Sequence, residues 1–210
     1  MTDGHHRGYV EILATVLLSL AAVATAWSGY QATRWNGEQA KAAGRTNAIR
    51  VEAARAQGLS ESQTQVDVAT FIQWVDAYAL KRTELSDFYF KRFRKEFTPA
   101  VNAWVATRPL KNANAPATPF AMPEYRPQAR VTAERLEAQS AASTAKVLEY
   151  LQTASNYVLC VVLFASALFF AGISTKLTTP TLRVAMVSLG CVVFLLTAIW
   201  IATSPISLAV

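Results

Sequence analysis

Four carboxylates, Asp67, Asp76, Glu84 and Asp87, crowd one short stretch of the sequence. Paired carboxylates can move protons or hold a hard cation, and Glu84 and Asp87, three apart, share a face of any helix. The chain supplies them with few chemical partners. Its two histidines, His5 and His6, sit together near the N-terminus and read as part of a solvated tail. No Glu-x-x-His pair occurs to build a di-iron site. Lys81, Arg82 and Lys91 stand close by and offer the acids ordinary ion pairs instead. Cys160 and Cys191 are the only cysteines. Each lies inside an apolar run and reads as a free buried thiol, with a bridge between neighbouring helices as the alternative. Residues 31–153 contain no cysteine, which excludes a disulfide framework or thiolate metal site there. Serine-nucleophile, phosphate-loop and dinucleotide patterns are absent. The sequence therefore assigns no catalytic residue, metal or cofactor, and the protein reads as non-enzymatic.

Two other groups of residues carry physical signals. The stretch Phe88-Tyr-Phe-Lys-Arg-Phe-Arg-Lys-Glu-Phe97 interleaves rings with cations. Lys91, Arg92, Arg94 and Lys95 are candidate contacts for anionic lipid or an acidic partner, with the rings as anchors. The alternative is an amphipathic helix with one core face and one solvated face. The second group is Ala21, Ala22, Thr25, Ala26 and Gly29. Small residues at this spacing let helix backbones approach closely in lipid, so these are predicted helix-packing positions and an argument for a homo-oligomer.

Three apolar runs must position everything else. They cover residues 10–30, 154–173 and 184–203. A helix of about 20 residues crosses a hydrocarbon core, so the expected fold is an all-α membrane protein with three transmembrane helices. It has three parts: residues 1–30 as tail and first span, residues 31–153 as an extracytoplasmic helical-bundle domain, and residues 154–210 as a transmembrane hairpin with a short tail. Ala24-Thr25-Ala26 resembles a signal-peptidase site, but the first run reads as an uncleaved anchor. The short connection between the last two runs carries Lys176 and Arg183 and no acid, which places it in the cytoplasm together with the N-terminus. Glu11 is expected to pair with Arg7, one turn away. Trp27, Tyr30 and Trp35 read as an aromatic belt, with Trp200 as their counterpart. The formal net charge of +6 belongs almost wholly to residues 31–153. Those charges are tethered to a membrane and accompany no nucleic-acid motif, so lipid headgroups or an acidic partner are expected and nucleic acid is not.

Within residues 31–153 the first helix is predicted to continue past the membrane and stop at Gly58. Ser60-Glu-Ser-Gln63 then reads as a capping box opening a new helix. That helix carries Val68, Phe71, Ile72, Val75, Tyr78, Leu85, Phe88 and Tyr89 at three- and four-residue spacing, followed by Phe93 and Phe97. Thr98-Pro99 is predicted as N-cap and first residue of a short helix. Residues 108–127 hold Pro109, Pro116, Pro119, Pro123 and Pro127, which excludes helix over most of the segment. Phe120, Met122 and Tyr125 are expected to pin this loop to the bundle. From residue 128 to 171 there is neither proline nor glycine, so one helix should run from the polar domain into the membrane.

Thr25-Ala-Trp-Ser-Gly-Tyr-Gln-Ala-Thr-Arg-Trp35, Phe71-Ile-Gln-Trp-Val-Asp-Ala-Tyr78 and Pro119-Phe-Ala-Met-Pro-Glu-Tyr125 resemble segments of a family of small bacterial inner-membrane proteins of unknown function. The resemblance covers most of the chain. It implies a bacterial membrane protein with this three-span plan and transfers no activity. The plan also resembles chemoreceptor sensor domains, but the cytoplasmic signalling helix is missing. The functional expectation is an oligomeric scaffold or accessory subunit of a membrane complex. The alternatives are a channel or transporter component and an extracytoplasmic ligand-sensing module that needs a signalling partner.

Overall fold

The computed structural model describes residues 3–207, with side chains from Tyr9 onward. Its helices are α1 (Asp3–Ala79), α2 (Thr83–Phe90), α3 (Thr98–Ala106), α4 (Gln128–Ser174) and α5 (Pro180–Ala202), with a single 3-10 turn at Pro119–Ala121. No strand occurs among the described residues. The fold is all-α, and α1, α4 and α5 are long and apolar enough to cross a membrane. The chain forms two compact units, an apolar one from Met1–Gly44 with Ser143–Val210 and a polar one from Arg45–Ala142. These boundaries fall beyond the ends of the apolar runs. Ring contacts such as Trp35 with Tyr150, 5.4 Å apart, bind the flanking helical turns into the apolar unit.

In the apolar unit the buried face of α1 is Ala14, Leu17, Ala21, Ser28 and Gln31. The buried face of α4 is Tyr157, Cys160, Phe164, Ala167, Ala171 and Ser174, and that of α5 is Val187, Gly190 and Thr197. All three sets recur at steps of three, four or seven residues, the spacing of a helix stripe. Both cysteines are free thiols. The buried hydroxyls bond back to their own helices: Ser28 to the Ala24 carbonyl at 2.7 Å, Ser174 to Ala171 at 2.6 Å and Thr197 to Val193 at 2.8 Å. Each polar group is thereby satisfied without a partner from another helix, as a hydrocarbon setting demands.

The polar unit is built on an aromatic core of Phe71, Trp74, Phe93, Phe97, Ala100, Val101, Trp104 and Tyr125. Phe71 meets Trp104 edge-on at 5.4 Å and Phe120 at 5.7 Å, while Phe97 stacks on Phe120 at 5.0 Å. These are the offset and edge-to-face arrangements that the ring quadrupole favours. The proline-rich segment is pinned as expected. Phe120 and Met122 pack on the core, Tyr125 is buried in it, and the Trp104 indole N–H donates to the Pro116 carbonyl at 2.6 Å.

Several helix boundaries differ from those the sequence predicts. α1 does not stop at Gly58, and Ser60 does not open a new helix. The chain stays helical through both, and the Thr64 hydroxyl donates to the Ser60 carbonyl at 2.8 Å inside it. A glycine in a helix costs only about 1 kcal/mol, less than breaking a long helix. The break comes instead after Ala79. Lys81 has a φ of 56°, the Lys81 N–H donates to the Tyr78 carbonyl at 3.1 Å, and the Arg82 N–H donates to Ala77 at 2.9 Å. That is a Schellman cap with lysine in the left-handed position usually held by glycine. Asp67 and Asp76 therefore lie on α1, and Glu84 and Asp87 on α2. Ile72 and Tyr78 lie off the buried stripe that Phe71, Trp74 and Ala77 form on α1, and beyond the break Leu85 and Phe88 are likewise exposed rather than in the core. Phe97, not Thr98, is the N-cap of α3. His5 and His6 fall within α1 rather than in a tail, and their side chains lie outside the described residues.

Candidate functional site

The most organised polar cluster centres on Asp67, whose side chain is 1% exposed. α1 places it one turn before Phe71 and two before Trp74, on the core-facing stripe. Two groups converge on it from distant parts of the chain. The Arg94 Nε–H donates to Asp67 Oδ1 at 3.1 Å, and the Tyr125 hydroxyl donates to Oδ2 at 3.1 Å. The Tyr125 oxygen also lies 3.2 Å from the Thr64 hydroxyl. Arg94 continues outward through Nη2 to Glu96 Oε2 at 2.9 Å, and the same carboxylate accepts from the Gln128 backbone N–H at 3.4 Å. One acid of α1 thus gathers the α2–α3 connection, the proline-rich segment and, through Glu96, the first turn of α4. Burial holds the Asp67 carboxyl above the usual carboxylate range, against the opposing pull of Arg94 and the Tyr125 hydrogen bond. Burial likewise raises the Tyr125 phenol above its usual value.

The basic stretch is therefore split. Arg94, 23% exposed, is committed to Asp67 and Glu96. Lys91, Arg92 and Lys95 are exposed. Arg92 lies over the Phe88 ring at 3.5 Å and donates to the Phe88 carbonyl at 3.0 Å. This cation–π contact clamps the last turn of α2.

The predicted small-residue positions divide as well. Ala21 faces the interior of the apolar unit, whereas Ala22 and Ala26 are exposed. A Cβ built at Gly29 meets nothing within 4 Å. The close approach inside the unit is at Gly190 instead. There an added Cβ would lie 3.1 Å from Leu17 Cδ2 and 3.3 Å from the Ala167 carbonyl oxygen. The only sequence sign of it was a glycine in the middle of an apolar run.

Two features of the apolar unit carry no sequence motif. Past α5 the chain is strapped down. The Ser207 N–H donates to Gln31 Oε1 at 3.1 Å, and the Trp35 indole N–H and the Tyr157 hydroxyl both donate to the Pro205 carbonyl, at 3.2 and 2.9 Å. Trp35 accordingly belongs to this strap, while Trp27 and Tyr30 stay exposed, their rings 5.9 Å apart. Second, Glu11 has Arg183 of α5 as its partner, at 3.7 Å. The expected partner Arg7 has its side chain outside the described residues.

Fold and composition together define a multi-pass helical membrane protein with a separate polar helical unit. Comparison with protein-family models, with characterised proteins and with solved structures finds no match.

Proposed function

We propose that this chain is a non-enzymatic protein of the bacterial inner membrane, acting as an oligomeric scaffold or as an accessory subunit of a membrane complex. The observation that carries the reading is the division of labour on α1. Packing within the apolar unit uses Ala14, Leu17, Ala21 and Ser28, while Ala22 and Ala26 face outward and Gly29 has open space. An outward face of small residues lets a second helix approach closely. The occupant is α1 of another copy, since identical small faces are complementary across a twofold axis. The orientation keeps the N-terminus cytoplasmic and residues 31–153 extracytoplasmic, supported by Lys176 and Arg183 in the α4–α5 connection. The exposed Lys91, Arg92 and Lys95 support contact with anionic lipid or an acidic partner. The test is the native mass of the detergent-extracted full chain. More than one copy is expected. Ala22→Leu combined with Ala26→Leu should give a single-copy mass with unchanged thermal stability, because neither side chain faces its own unit. A single-copy mass for the unaltered protein, or an unchanged mass for the variant, refutes the assembly.

A further inference from the structure

Two non-glycine residues in the described chain have positive φ, Lys81 at 56° and Arg108 at 54°. Both are basic. Both occupy the left-handed residue that ends a helix, Lys81 after α1 and Arg108 after α3, where the Arg108 N–H donates to the Val105 carbonyl at 2.9 Å and Pro109 follows. A side chain with a Cβ is strained in this region, and glycine is the ordinary occupant. Two long cations held where the backbone favours glycine point to something gained by the side chain.

Both residues line cavities, and the two cavities adjoin. The first, of about 680 Å³, has Trp74, Tyr78, Lys81 and Phe90 among its walls. The second, of about 300 Å³, is lined by Arg108 and Lys111 and shares Tyr78 and Leu110 with the first. Trp74 and Tyr78 stack at 4.9 Å with an interplanar angle of 19°, so the buried Trp74 ring backs and fixes the more exposed Tyr78 ring. Leu110 is 64% exposed and adds an apolar side chain between the two spaces. The lining charges are Lys81, Arg108 and Lys111 against the single carboxylate Asp87. Volumes of this order suit a small organic molecule, and a mostly apolar wall with a few placed charges is what such sites have.

We propose that the paired cavity at the α1–α2 and α3 turns is a binding site for a small organic anion, a carboxylate with a flat or short apolar body. The body lies against Trp74, Tyr78 and Leu110, and the carboxylate faces Lys81, Arg108 and Lys111. The site supplies the ligand-sensing alternative with a location and a ligand class. It does not depend on the assembly of copies through α1.

The strained lysine and arginine make the test selective. Lys81→Gly with Arg108→Gly removes both charges while relieving the backbone. The full chain in detergent is dialysed to equilibrium against naphthalene-2-carboxylate, with empty micelles as the reference, and separately against the neutral naphthalene-2-methanol. The carboxylate should bind saturably above micelle uptake. The alcohol, and the carboxylate on the double glycine variant, should each bind about tenfold more weakly. The variant should melt at the same temperature as the unaltered protein or higher. Lys81→Gln with Arg108→Gln keeps the Cβ at both positions and should lose the same affinity, so charge is read apart from backbone effects. The proposal is overturned if the carboxylate shows no saturable binding, if carboxylate and alcohol bind equally, if both variants bind as the unaltered protein does, or if the glycine variant melts lower.

Discussion

Replacing Arg94 with methionine tests whether the Asp67 cluster organises the polar unit. Methionine keeps most of the length and apolar stem of arginine but removes both charge-assisted hydrogen bonds, to Asp67 at 3.1 Å and to Glu96 at 2.9 Å. At an effective dielectric near 20, a unit charge pair at the Asp67 distance attracts by about 5 kcal/mol. That gross figure overstates the loss, because Asp67 can escape part of it by taking up a proton, and its carboxyl is already held above the usual range. Removing one partner of a buried pair typically costs about 3–5 kcal/mol. With Arg94 partly exposed, about 2–4 kcal/mol at neutral pH is the expected result. The assay is urea unfolding of the full chain in detergent, followed by tryptophan fluorescence, since Trp74 and Trp104 both lie in the core that would loosen. Lys95→Met on the same stretch is the control, because Lys95 is exposed and should change stability by less than about 0.5 kcal/mol. Adding Asp67→Asn to Arg94→Met should recover part of the loss, since it removes the stranded charge. If Arg94→Met costs no more than Lys95→Met, the cluster is not organising the unit and Arg94 returns to the surface cations.

Two further predictions concern the Asp67 carboxyl and the close approach at Gly190. Because burial raises the Asp67 carboxyl in the folded state, folding takes up a proton between its unfolded value, about 3.9, and the raised folded value. The stabilisation is complete below the unfolded value and is lost as pH rises through the folded one. Over that window the stability of the unaltered protein relative to Asp67→Asn should therefore fall with rising pH, and parallel curves would contradict it. In the apolar unit, Gly190→Ala drives a Cβ against Leu17 and the Ala167 carbonyl and should cost about 1–3 kcal/mol of overpacking. Gly172→Ala, with nothing within 4 Å, should leave the melting temperature level or raised; equal responses of the two glycines would remove the close α4–α5 approach.

The three spans were legible because hydrocarbon thickness imposes a length that no other element of this chain mimics. The end of α4 and the start of α5 follow from the same constraint, helped by Pro180 in the first turn. In the polar unit the starts of α3 and α4 were legible from Pro99 and Pro127, but the end of α1 and the start of α2 were not. Gly58 and the Ser60–Gln63 pattern carry local preferences that the continuity of a long helix overrides, and the true break uses Lys81, which no propensity marks as a terminator. The Asp67 cluster was hidden for another reason, since its partners lie 27 and 58 residues away in sequence. A signal was nevertheless present. Asp67, Phe71 and Trp74 share one helical stripe, and an acid within an apolar stripe demands a buried partner. Reading Asp67 with the other carboxylates as one acidic stretch obscured that.

The strap beyond α5 constrains the order in which the apolar unit can close. Gln31 is fully buried, and its Oε1 is met by the Ser207 N–H, 176 residues further along the chain. During synthesis the first span is made long before that partner exists. Until α5 has been inserted and its last turn has followed, the Gln31 amide, the Trp35 indole and the Tyr157 hydroxyl have no Pro205 or Ser207 to bond. Contacts of such separation close late in folding. The strap is thus a latch that can close only after α5 has been made, and until then the three hydrogen-bonding side chains remain open to water or lipid headgroups.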